Sequence, residues 1–143
     1  MRNTVKRFAL PVIAAALVLS ACAREETWQV VAVYTDPDTP GALPVDAAGA
    51  VNVAVDGSSF RGTTGCAEMS GTYAIDKGVL TVTDVDMPDA GGCVGGARRT
   101  HDQLAGLLSP GARFDVHQLS DYEVVLTAVV EAIEPPSLRL MLL

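Results

Sequence analysis

The stretch "GTYAIDKGVLTVTDV", Gly71 to Val85, decides the fold. Its Asp76-Lys77-Gly78 triplet is turn chemistry, with Gly78 able to take the left-handed position of a three-residue turn. On either side, "GTYAI" and "VLTVTDV" are rich in β-branched and aromatic residues. The pair reads as an antiparallel hairpin.

Upstream, Asp56-Gly57 closes a second hairpin into "SSFRGTT", and "AVNVAV", Ala50 to Val55, alternates Val51, Val53 and Val55 with smaller or polar residues. "TWQVVAVYT", Thr27 to Thr35, has strand composition. Between them "DPDTPGALPVDAAG" is a Pro-, Gly- and Asp-rich connection without periodicity and is expected to be an exposed loop.

Downstream, "ARRTHDQLAGLLS" places Ala97, His101, Leu104 and Leu108 on one helical face with Leu107 beside them, and Ser109-Pro110-Gly111 ends it. "ARFDVHQL", "YEVVLTAVV" and "SLRLMLL" add three strands, the last two separated by Glu134-Pro135-Pro136, which cannot continue a ladder. The expected class is a β-rich α+β domain, a compact antiparallel sheet or barrel-like body with one packed helix.

The N-terminus is different material. Arg2, Lys6 and Arg7 precede the uncharged apolar run "FALPVIAAALVL", Phe8 to Leu19, which is short for a membrane span. This is a signal-peptide pattern over residues 1–21. It is followed by "LSAC", Leu19 to Cys22, which resembles a bacterial lipobox, and that resemblance implies cleavage before a Cys22 carrying fatty acyl chains. Residues 22–26 would then be a lipidated tether and residues 27–143 one domain. With about 0.8 kcal/mol per buried CH₂, such an anchor holds the protein at the cell membrane, facing outside the cytoplasm.

Loss of the leader would leave seven basic against seventeen acidic residues. That balance argues against nucleic acid as a partner, and against electrostatic adhesion to anionic lipid. The membrane contact is left to the lipid anchor. With Cys22 acylated, Cys66 and Cys93 remain as an even pair in a compartment that permits disulfides. Thiol catalysis by Cys66 would need a base, and the chain's two histidines, His101 and His117, are distant in sequence.

Trp28 opening the first strand, "SFRGTTGC", the motif Gly65-Cys66 followed by Ser70-Gly71-x-Tyr73, the strand "GVLTV", Cys93, and a helix ending in Leu107 and Leu108 together resemble the META domain. That family includes heat-inducible lipoproteins of the bacterial envelope. The resemblance spans residues 27–143 and implies an antiparallel β fold with one helix and an envelope or stress-related role, without catalytic residues. The family usually has Asn after the Gly-Cys pair, where this chain has Ala67, whose side chain cannot hydrogen-bond the turn.

Other features are weaker. Asp84, Asp86 and Asp89 lack the full ligand set of a calcium loop, so no metal is expected. Ser70 has Glu68, not Gly, two residues before it, so it does not sit in a nucleophile elbow. "GGCVGGARR" brings Gly95, Gly96, Arg98 and Arg99 to a helix start, where an anion could bind.

Three functions follow in order. The first is a non-enzymatic envelope lipoprotein that is structural or holds an envelope protein partner, with no cofactor. The second is a small-molecule or anion-binding module using the Gly91 to Arg99 loop. The third is an enzyme with Cys66 or Ser70 as nucleophile.

Overall fold

A strand with one apolar face must bury it, and eight such strands in a row bury theirs against one another by closing into a ring. The computed structural model describes residues 24–143. The signal peptide expected over residues 1–21 and the acylation expected at Cys22 lie outside the described residues. The strands are β1 (Glu26–Tyr34), β2 (Asn52–Asp56), β3 (Ser59–Thr63), β4 (Glu68–Asp76), β5 (Val79–Asp86), β6 (Arg113–Ser120), β7 (Glu123–Ala128) and β8 (Ser137–Leu142). Each pairs antiparallel with the next, and β8 pairs with β1, giving a closed barrel in chain order. The helix α1 (Gly95–Leu107) lies between β5 and β6. The domain is thus a β-rich α+β barrel with one helix, as the alternation and turns predict.

Inward positions on β4 to β8 are Met69, Tyr73, Leu80, Val82, Phe114, Val116, Leu126 and Leu138; outward ones on the same strands include Ser70, Thr81, Asp115, His117 and Arg139. Apolar-in and polar-out is the reverse of barrels that span a membrane. The β4–β5 connection is tighter than the expected three-residue turn. Asp76 pairs with Val79, so Lys77 and Gly78 alone make the turn, at φ 51° and 77°. Two successive positive-φ residues match the right-handed twist of the flanking strands.

The segment 36–49 differs from the expected exposed loop. The Val33 amide donates to the Gly41 carbonyl at 2.8 Å, Leu43 packs on the core, and Gly41 and Ala47 are buried. Its apolar residues have no periodicity because each is used singly, to dock the segment beside α1.

The core is lopsided. Val30, Val33, Val51, Met69, Leu104, Leu138 and Leu140 form one buried cluster, and Val82, Phe114 and Ala128 another, with Leu107 and Leu108 packed against both. The helix therefore plugs one end of the barrel. The Gly57-Ser58, Lys77-Gly78 and Asp121-Tyr122 turns ring the other end, which stays open.

Candidate functional site

Three groups of residues carry the chemistry, two at the plugged end and one inside the barrel. At the plugged end, Cys66 in the β3–β4 turn and Cys93 just before α1 are joined by a disulfide, with Cα atoms 5.7 Å apart. That separation is ordinary for a bridge. The cysteine in the glycine-punctuated turn is a staple, and its thiol is not free for catalysis.

Beneath the staple, Thr64 organises the turn. Its hydroxyl accepts hydrogen bonds from the Cys66 and Ala67 amides at 3.2 and 3.1 Å, and lies 2.8 Å from Nδ1 of His101. The same hydroxyl lies 3.3 Å from the Ala67 carbonyl, so one side chain gathers the turn backbone and the helix histidine. Thr64 and His101 are both buried. His101 is thus a satisfied core histidine that ties α1 to the turn, and Thr64 holds the backbone that Ala67 has no side-chain amide to hold. His117 points outward from β6 and is exposed.

At the start of α1, Gly95, Gly96, Arg98 and Arg99 lie together as the sequence places them. The end of the helix is already engaged from within the chain: Asp46 accepts a hydrogen bond from the Ala97 amide at 3.1 Å. Its carboxylate complements the positive end of the helix dipole. A Cβ on Gly96 would collide with Asp46 and Pro44, so glycine there is what lets the 36–49 segment reach the helix. Arg98 pairs with Asp102 at 3.0 Å and Asp89 at 3.7 Å, leaving Arg99 pointing outward.

The Ser70-Gly71-x-Tyr73 motif is explained by packing. Ser70 faces outward, opposite Arg61 on β3 and Asp86 on β5, and is exposed. Gly71 faces inward opposite Phe60, whose ring covers the space a Cβ would need. Phe60 in turn lies 6.5 Å from Tyr73, ring centre to ring centre, in a tilted pair. The Tyr73 hydroxyl donates to the Gly57 carbonyl at 2.8 Å. Burial, and then the charge of Glu26, push the Tyr73 phenol above its ordinary value.

Behind this pair is a cavity of about 270 Å³. Trp28, Val53, Phe60, Val116 and Leu126 are among its walls, and Leu104 of α1 with Leu108, which follows the helix, forms its floor. Glu26 and Gln118 stand at its rim. Among the described residues, no cluster of three or more His, Cys, Asp or Glu side chains could hold a metal ion.

No family profile and no curated protein matches the chain. Solved structures do. An NMR structure of a protein from Burkholderia xenovorans superposes with a TM-score of 0.63 at 16% identity, over 100% of this chain and 99% of that one. A second NMR structure reaches 0.52 at 15% identity, over 81% of this chain and 87% of that one. The likeness is one of fold. At this identity it shows that the barrel with its helix plug recurs in other sequences, and it assigns no site.

Two groups escape a reading of the sequence. Thr64 is one of three threonines within residues 59–64 and 72, with nothing local to mark it. Asp46 looks like any loop acid. The cavity had a signal, since every strand supplies inward apolar residues, yet its volume depends on how the ring closes.

Proposed function

We propose that this protein is a lipid-anchored bacterial envelope protein carrying a META-like domain, acting as a non-enzymatic binding or structural module outside the cytoplasm. The observation that carries the reading is the Cys66–Cys93 bridge. It accounts for two of the three cysteines with a bond suited to an oxidising compartment, and leaves Cys22, in "LSAC", as the one for acylation. The geometry adds an orientation. Glu26 starts β1 at the open rim, only four residues after Cys22, a reach of at most about 14 Å. An acylated Cys22 would hold the open end toward the membrane.

The test is a non-reducing peptide map of the membrane-purified protein, with the mass of the Cys22 peptide. A crosslinked Cys66–Cys93 fragment and an acyl-sized mass on Cys22 are expected, and Cys22→Ser should abolish that mass and leave residues 1–21 uncleaved. Reducing the bridge should lower stability by about 3.5 kcal/mol in the chain-entropy account for the 27-residue separation. An unmodified Cys22 in a protein recovered from the cytoplasm would end this reading.

The anion-binding alternative at Gly95, Gly96, Arg98 and Arg99 would require an anion to displace Asp46 from the Ala97 amide. The intramolecular carboxylate is the better placed occupant, which favours the first reading.

A further inference from the structure

We propose that the interior of the barrel is a binding site for a small apolar molecule with a neutral or cationic end, of the size of an eight-carbon aliphatic amine or alcohol, entering by the open end.

Packing is the first ground. Protein interiors are filled to crystal density and tolerate few voids larger than a water molecule. This interior, open at one end, holds about 270 Å³. An apolar cavity of about 150 Å³ already takes up benzene, so this interior has room for a ligand larger than that. Trp28, Val53, Val55, Phe60, Leu80 and Val116 all face inward yet are only half-buried. They present an apolar wall that their own neighbours do not cover. The plugged end makes the space a cup, with Leu104 and Leu108 beneath.

The rim supplies the selectivity. The Tyr73 hydroxyl is engaged by the Gly57 carbonyl, and the Gln118 amide donates to the Ser120 carbonyl. The Glu26 side chain makes no hydrogen bond or ion pair among the described residues, and its charge is felt by Tyr73. Asp56, Asp76 and Asp121 stand in the surrounding turns with Lys77 as the base among them. An apolar molecule ending in a carboxylate would meet like charge as its tail entered, whereas an ammonium or a hydroxyl would meet an acceptor. The proposal stands on the cavity and its rim, independently of the lipid anchor.

The experiment uses residues 22–143 carrying Cys22→Ser, made without the apolar leader, so that neither acyl chain nor leader is attached, no detergent is needed and the whole barrel is kept. The chain's single tryptophan, Trp28, lines the cavity and reports occupancy by its fluorescence. Octylamine, octanol and octanoate are titrated at neutral pH. Saturable Trp28 shifts are expected for the amine and the alcohol, with octanoate at least about tenfold weaker, a difference of about 1.4 kcal/mol. Glu26→Gln should bring octanoate closer to octanol, and Val116→Phe, which fills the cup, should abolish the response while the circular dichroism stays that of a folded barrel. Should Val116→Phe not fold, methyl NMR shifts in the unsubstituted barrel decide: changes confined to Val53, Val55, Val116 and Leu126 uphold the site, and changes on the outer face overturn it. No saturable response to any of the three, octanoate binding as tightly as octylamine, or binding unchanged in a folded Val116→Phe protein would each overturn the proposal.

Discussion

The two ends of this barrel are made of the same strands and are packed in opposite ways. At the plugged end, α1, the docked 36–49 segment, the disulfide and the Thr64–His101 bond meet over a fully buried cluster. At the open end, inward residues of the same apolar types stay half-buried, and Ile75 and Tyr122 are 57% and 64% exposed. A closed ring of strands solves the backbone's hydrogen bonding at both ends equally. It does not fill the ring. Filling is done by material from outside the strands, and this chain places all of it on one side.

The sharpest way to break that comparison is to remove a side chain at each end. Phe114, 1% exposed, should cost about 4 kcal/mol when changed to Ala, because it leaves a cavity that the rigid plugged end cannot collapse. Ile75→Thr should cost no more than about 0.5 kcal/mol. Urea denaturation of both proteins reads the difference, and equal losses would mean that the two ends are not packed differently.

A smaller effect sharpens the account of the plug. Thr64→Val keeps the shape and removes the hydroxyl, leaving the Nδ1 of His101 and the Cys66 and Ala67 amides without that partner. A loss of about 2 kcal/mol is expected. His101→Ala combined with Thr64→Val should then cost less than the sum of the two, since both remove one bond.

The smallest effect belongs to the open rim. The raised Tyr73 phenol means that the folded state holds this proton more tightly than the unfolded chain, where the ordinary value is 10.0. Stability from this group is therefore complete below that pH and falls as pH rises through the folded value. Ultraviolet titration should show one late-ionising phenol that Tyr73→Phe removes, and Glu26→Gln should make it ionise earlier. A titration unaltered by Glu26→Gln would place Glu26 outside the reach of Tyr73 and weaken the account of the rim.

Much of this architecture is written in short stretches. The strands, the hairpin turns after Asp56 and Asp76, the helix stopped ahead of Ser109-Pro110-Gly111, and the pairing of Cys66 with Cys93 all follow from neighbouring residues or from a count of cysteines. Even His101 was legible as a residue on the core face of its helix. Periodicity and turn chemistry act over a few residues, so a few residues suffice to reveal them.

The site was legible only in part. Gly95, Gly96, Arg98 and Arg99 read as an anion cradle because the sequence does not say that Asp46, some fifty residues earlier, will lie on the helix end. Gly71 reads as a family signature, and its use as the space beneath Phe60 emerges from the β3–β4 register.

The sequence by itself determined a β-rich chain with one helix and one staple, and a leader pattern ahead of them. Only the tertiary structure decided that β1 meets β8, that the ring is plugged at one end and open at the other, and that a cavity of about 270 Å³ remains between. The physical reason is one of range. Local pattern records which face of each strand is apolar, but the volume left inside a closed ring is set by contacts between residues more than a hundred positions apart.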